Sequence, residues 1–404
     1  MANIVRTMGD LQAKGFAVCI GFLLKKMKYF LAAFALLLTA PLLTGCNYLI
    51  EDSVLHVTPH VAEVTPHPDL GDYIVIESAA ELARVILHMV EQRAAGGLLR
   101  LVDLDAAGAE DMLSDVILDL GQRPFVAYAV NVFTPRILAE ATAGVELELM
   151  ISYQKTPAQM AAVQTVPVAR NAVLALREIL HDGTGYTAFL SPANVANVSF
   201  LEGVILDHYF NQALNVIRLP AVQISLYPSS GAGTHRIAEL EFDFGYTPDE
   251  LAQMQADLVS AAADLLESLP DDLPQTDLLV RLAASLAEII ALDESPPPAM
   301  NFIAPRALSH TAYGALVLGE ASSEGFAFAL RAALDLLDIP SRIIQGERDG
   351  RRHVWNLIEL DGNFYHMDST AIPVAAFVSD EIMFQNGYSW DLSLYPRADH
   401  ARAH

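Results

Sequence analysis

An internal repeat constrains this chain more than any other feature. Residues 148–157 (Glu-Leu-Met-Ile-Ser-Tyr-Gln-Lys-Thr-Pro) align with residues 239–248 (Glu-Leu-Glu-Phe-Asp-Phe-Gly-Tyr-Thr-Pro) at an offset of 91. In both copies the apolar positions fall on the same strand parity. A helix then begins at the proline, where the missing N–H would have had no partner anyway. Ahead of the first copy, residues 73–77, 79–92, 98–104 and 107–120 read as strand, helix, strand and helix. Residues 125–133 and 145–153 read as a long β-hairpin, followed by a helix running to about residue 179. Ahead of the second copy lies another strand, 221–227, itself preceded by a helix. The expected fold class is therefore α+β, with one module at 72–160 and a second at 161–293. The second module ends in a two-helix extension broken at 270–274. Two copies are too few for a solenoid, which leaves packed spacer or binding modules. Chance recurrence of strand, turn and helix is the alternative.

The N-terminus reads as an export segment. Lys25, Lys26 and Lys28 precede an apolar run at 29–43, which is short for a membrane span and closes on Leu43-Thr44-Gly45-Cys46. This closure resembles the lipobox of bacterial lipoproteins, which implies cleavage before Cys46 and a lipid on that cysteine. A plain signal peptide with an incidental cysteine is the alternative, and Met27 is a better start than Met1. Residues 1–45 are thus a leader, and 46–71, with two copies of Val-Thr-Pro-His, a tether. His56, His60 and His67 within it lack the carboxylate or cysteine partners of a metal site, so no metal or other cofactor is expected.

Charge limits the partners. The 404 residues carry 24 Lys+Arg against 49 Asp+Glu, a formal charge of −25, and no basic patch, which argues against nucleic acid. Without residues 1–45 the charge becomes −29, so anchoring to a membrane surface falls to the lipid on Cys46. Lys155 is then the only lysine left. Two cysteines, Cys19 and Cys46, exclude a disulfide framework and a Cys-rich zinc site.

After the boundary at Pro296-Pro297-Pro298, residues 300–404 carry the recognisable chemistry. Phe326, Leu330, Leu334 and Leu337 mark one buried face of a helix with Ser323 at its start, where free N–H groups and the helix dipole favour an anion. On residue type alone, Ser322 or Ser323 reads first as a simple N-cap. Asp361-Gly362 is a two-residue hairpin signal, and a tight turn there makes paired residue numbers sum to 723. Trp355 then faces Asp368, and His353 is a diagonal neighbour of Asp368, close enough for a carboxylate to orient an imidazole. A surface histidine beside a solvated carboxylate is the alternative.

Taken together, Tyr313-Gly314-Ala315-Leu316-Val317, Ser323-Glu324-Gly325-Phe326-Ala327, His353-Val354-Trp355-Asn356, Asp361-Gly362, Tyr365-His366-Met367-Asp368-Ser369-Thr370 and Gly387-Tyr388-Ser389-Trp390-Asp391 resemble the bacterial transglutaminase-like domain. The resemblance spans roughly 305–396. It implies a papain-like α+β fold and a Cys-His-Asp triad, with His353 as base and Asp368 as its orienter; Tyr313 and Trp355 are candidate substrate contacts, with core aromatics as the alternative. Ser323 stands at the cysteine position. A thiolate forms near neutral pH from a starting pKa of ~8.5, whereas a serine hydroxyl must lose its proton during attack. The expectation is a transglutaminase-like pseudoenzyme on the extracytoplasmic face of a membrane, binding a peptide or cell-wall ligand. The alternatives are a Ser323-His353-Asp368 acyl hydrolase or transferase on amide bonds, or functional modules that the C-terminal domain merely scaffolds.

Overall fold

The computed structural model describes residues 73–402, except Thr142, Ala232, Asp271 and Ile372. The expected leader, the expected lipidation position Cys46 and the expected tether lie outside the described residues. The chain begins with β1 (Tyr73–Ile76), α1 (Ala79–Glu91), β2 (Gly96–Val102), α2 (Ala106–Leu120), α3 (Pro124–Ala129), β3 (Val130–Ala141) and β4 (Gly144–Tyr153). The strands form a sheet in the order β1-β2-β4-β3, with only β1 and β2 parallel. Next come α4 (Pro157–Ala161), β5 (Gln164–Thr165), α5 (Ala169–Asp182), β6 (Tyr186–Pro192), α6 (Val198–Asn211), β7 (Ala221–Tyr227) and β8 (His235–Asp243). Their sheet, β5-β6-β8-β7, has the same order and the same senses of pairing.

The likeness between the two halves reaches the helix starts. Thr156 and Gln159, and again Thr247 and Glu250, exchange side-chain and backbone hydrogen bonds in two capping boxes, each followed by Pro in the first turn. The second box opens α7 (Pro248–Glu267), and α8 (Gln275–Ile289) follows.

Two expectations change. Residues 125–129 are helical rather than extended, because Pro124 starts a helical turn that buries Val126, Tyr128 and Ala129. A short apolar run does not distinguish strand from helix. The helix expected to reach residue 179 stops after one turn. Val166 and Pro167 intervene, and the chain pairs β5 with β6 before α5 begins.

The remaining elements are β9 (Ala291–Leu292), a 3-10 turn (Leu308–His310), α9 (Ala312–Leu316), β10 (Glu320–Ala321), α10 (Ser323–Leu336), β11 (Ser341–Arg348), β12 (Arg351–Leu360), β13 (Asn363–Asp368), β14 (Ala375–Val378), α11 (Asp380–Gln385) and β15 (Tyr388–Trp390). Strands β11 to β15 form a five-stranded sheet, β14-β13-β12-β11-β15, so the described chain is mixed α+β with several sheets. The β12–β13 register runs from Leu360↔Asn363 to Asn356↔Met367, as the Asp361-Gly362 turn requires. Asp361 and Gly362 both have positive φ, 54° and 76°. Asp349-Gly350 makes the same kind of turn between β11 and β12, with φ of 53° and 72°.

Helix α10 is enclosed rather than buried on one face. Ala327, Phe328 and Ala332 join the core of the second sheet, while Ala329, Leu330, Ala333 and Leu334 join a core shared with α8, β12 and β13. Between the first two sheets the polar core is Lys155. Its Nζ donates to both oxygens of Glu239 (2.7 and 2.6 Å), which also accept from the hydroxyls of Tyr186 and Tyr227 (3.0 Å each). Glu239 is 3% exposed. Removing one partner of a buried pair strands the other charge. Lys155→Met is therefore expected to destabilise the protein by about 3–5 kcal/mol in urea unfolding. Adding Glu239→Gln to Lys155→Met should return part of that loss.

Candidate functional site

The site is built where the start of α10 meets β12. Ser322 is the N-cap residue, yet it makes no side-chain cap bond. Its Oγ lies 2.7 Å from Nδ1 of His310 instead. Burial, then the nearby Arg306 charge, push His310 down to about 4, so its ring is neutral at pH 7. Ser323 is the first helical residue and is 5% exposed. Its Oγ accepts the Val354 N–H at 3.3 Å, and among the described residues no hydrogen bond joins it to His353.

His353 and Asp368 do meet. Nε2 of His353 is 2.7 Å from Oδ2 of Asp368, which also accepts from the Tyr388 hydroxyl at 2.6 Å. The other carboxylate oxygen accepts from the N–H and Oγ1–H of Thr370 at 2.9 and 2.7 Å. Burial raises the Asp368 carboxyl, but His353, Tyr388 and Thr370 outweigh it and hold the group below its ordinary value. The carboxylate thus binds the Nε2 side of the ring, leaving Nδ1 as the basic nitrogen of the neutral imidazole. Tyr388 packs edge-on against His353, ring centres 5.7 Å apart, and the Arg348 guanidinium sits 5.1 Å from the centre of the Tyr388 ring.

Behind this pair is a second one. Trp355 donates its indole N–H to Nδ1 of His366 (3.0 Å), so Nε2 of His366 carries the proton facing Asp380 (2.9 Å). Trp355 is 1% exposed. A cleft of about 630 Å³ opens beside His353, lined also by Pro297, Pro298, Met300, Glu324, Arg352 and Trp390. Neither Tyr313 nor Trp355, the residues expected to contact substrate, lines it. Tyr313 packs against the core of the second sheet, and Trp355 is held inside the five-stranded sheet's own small core. An aromatic in a strand is read as readily as a core residue as a ligand contact, and here the ring on the cleft wall is Trp390.

Sequence reasoning passes over Arg306, His310 and Glu324. Arg306 and Glu324 form a buried ion pair directly beside Ser323, with Arg306 Nε donating to Glu324 Oε1 at 3.2 Å. A buried charge needs a partner, so an Arg and a Glu within apolar surroundings are the available signal. Among the described residues no group of three or more His, Cys, Asp or Glu side chains is arranged to hold a metal ion. No described helix is long and apolar enough to cross a membrane.

Comparison with protein families and with curated proteins finds no match. Among solved structures, a TGase is 12% identical with a TM-score of 0.25, over 55% of this chain and 61% of that one. A candidate cysteine protease from Cytophaga hutchinsonii is 12% identical with a TM-score of 0.24, over 42% of this chain and 64% of that one. A candidate protease from Parabacteroides distasonis is 9% identical with a TM-score of 0.21, over 58% of this chain and 52% of that one. The similarity is distant, and the chain spans between 52% and 64% of these structures' lengths.

The Asp368 environment sets an acid limb of stability. A carboxyl held below its unfolded pKa of ~3.9 contributes stability that is present above that value and lost as pH falls through the folded one. Asp368→Asn is therefore expected to lower stability at neutral pH by roughly 2–4 kcal/mol. The difference from wild type should shrink toward pH 3, as urea unfolding at the two pH values would measure.

Proposed function

We propose that this is a lipid-anchored, extracytoplasmic protein whose transglutaminase-like C-terminal domain, papain-like in fold, binds a peptide or cell-wall segment without turning it over. The observation that carries this reading is the state of Ser323: its hydroxyl receives the Val354 N–H and makes no hydrogen bond to His353. A serine nucleophile needs its base within hydrogen-bond reach, since the hydroxyl loses its proton only during attack. The cleft beside His353, with Trp390 on its wall, has the size and mixed lining of a ligand site. The two α+β modules support the domain.

The rival reading is a Ser323-His353-Asp368 acyl hydrolase or transferase on amide bonds. It is favoured by the Asp368 carboxylate, whose two oxygens accept from His353, Tyr388 and Thr370 as an orienting group's would. A fluorophosphonate probe separates the two. The binding reading expects no labelling of the wild type, and labelling that disappears in Ser323→Ala would overturn it. Ser323→Cys, at a position only 5% exposed, should react with iodoacetamide at pH 7 more slowly than a free thiol under the binding reading, whereas faster labelling would favour the rival one, since it would show an accessible thiolate at the helix N-terminus.

The anchor reading rests on the Leu43-Thr44-Gly45-Cys46 sequence and on the acidity of residues 47–404. Metabolic labelling with an alkyne fatty acid is expected to tag the full chain in a bacterial host. Cys46→Ala should abolish the tag and release the protein from the detergent phase; an unchanged tag would rule out Cys46 as the lipid site.

A further inference from the structure

The linker between α8 and the Leu308–His310 turn runs along one wall of the cleft as a strap. At its start the Asp293 N–H donates to Ala321 O at 2.8 Å, extending the β9–β10 pairing. At its far end Phe302 O accepts from the Val222 N–H (2.9 Å), and the Arg306 N–H donates to Leu219 O (2.8 Å). Between these anchors Pro297, Pro298, Ala299 and Met300 line the same cleft as His353 and Trp390.

Three consecutive prolines offer no N–H, so this stretch can be held only through its carbonyls and its packing. Arg306 provides that hold. Its Nη1 and Nη2 both donate to Pro298 O at 3.1 Å, and Nη1 also reaches Ala299 O at 3.4 Å. The same guanidinium binds both oxygens of Glu324, the residue after Ser323. Apart from Asn301, which donates to Ala299 O, no other described side chain is hydrogen-bonded to residues 296–300. One guanidinium therefore ties the strap to the start of α10.

We propose that residues 296–300 form a movable wall of the cleft, a gate held in its narrowed position by Arg306 on the Glu324 carboxylate and released to widen the cleft when that ion pair is lost. The gate regulates the binding site inferred above; what passes through it rests on that reading, but the movement does not. Glu324 is fully buried, and burial pushes its carboxyl up to about 7 against the opposing effects of Arg306 and Tyr209. The groups facing it are Arg306, the Tyr209 hydroxyl at 3.5 Å, and, around the cleft, Arg352, His353, Glu347 and Asp391. His310 and Asp293 lie near enough to interact with one another, and Arg306 acts on His310. Above pH ~7 the ionised carboxylate holds Arg306 and the strap; below it, protonation removes the charge that holds them.

The chain carries its own reporter. Its only two tryptophans are Trp355, which is buried, and Trp390, which lines the cleft. Trp390 is partly exposed already, so acrylamide quenching of the full-length protein is expected to be measurable at pH 8 and to steepen as pH falls through 7. Glu324→Gln should be roughly twofold steeper at pH 8 and insensitive to pH between 6 and 8, since the amide cannot hold the guanidinium as a carboxylate does. Arg306→Lys keeps the charge but not the planar fork, and should fall between the two. Circular dichroism establishes that each variant is folded. A folded Glu324→Gln that is quenched like wild type at pH 8 overturns the gate. A wild-type pH response persisting in that variant does so too, by assigning the response to another group. If Glu324→Gln does not fold, Arg306→Lys decides, wild-type quenching in that variant overturning the gate. No ligand enters these measurements, so their failure leaves the peptide reading standing, and failure of that reading leaves the gate standing.

Discussion

The enclosure of α10 is the constraint on which the rest of the structure depends. A helix contacted by two separate cores cannot carry large side chains on every face, and residues 323–333 answer with Ser, Gly and four alanines among two Phe and one Leu. Gly325 marks the tightest point: a Cβ there would lie 2.6 Å from the Ser309 carbonyl oxygen. Because the helix is locked on both sides, its first turn is fixed relative to β12, and Ser323 is fixed relative to Val354. The second repeat contributes to this through its helices: Tyr209 and Phe210 of α6 pack on Phe328, with ring centres 4.7 and 5.6 Å away.

Polar groups at the start of this helix are then forced into pairs. Glu324 has no exposed surface, so Arg306 pairs with it, and Arg306 brings the proline strap along. Ser322 would cap the helix, but its hydroxyl goes to the buried His310. On the other side of β12, Asp368 is buried completely and is tolerated because three residues donate to it. These are not independent decorations: each one satisfies a group that the packing of α10 and the five-stranded sheet removed from solvent.

Legibility in the sequence depends on whether the deciding interaction is local. The Asp361-Gly362 turn and strand parity set the β12–β13 register and bring His353 to Asp368, because a hairpin is fixed by the residues at its tip. The Thr-Pro starts of α4 and α7 are legible for the same reason, since a capping box lies within four residues. Residues 124–129 and 157–167 mislead, because an apolar run and a proline look alike whether the neighbouring structure asks for helix or strand. Arg306 lies 18 residues from Glu324 and His310 12 residues from Ser322, and no periodicity links such pairs. Trp355 reads as a ligand contact because burial, which depends on α11 and β15 folding over it, is not written in its own strand.

The serine at 323 can be understood on the same terms. A sulfur in that position is a weak acceptor and would leave the Val354 N–H nearly unsatisfied unless the thiol were ionised. A hydroxyl oxygen accepts that N–H and gives a buried backbone donor its partner. A hydroxyl therefore satisfies this N–H without ionising, whereas a thiol would do so well only as a thiolate. The Arg306–Glu324 pair beside the same residue, and the proline strap that Arg306 holds, are tied to the start of α10 by hydrogen bonds as well. The histidine and aspartate, by contrast, form a bonded pair in which the carboxylate, held by Tyr388 and Thr370, fixes the orientation of the imidazole. The two halves of the site therefore differ in kind: β12 and β13 remain organised to orient a ring, while the helix start that faces them is hydrogen-bonded as part of the core.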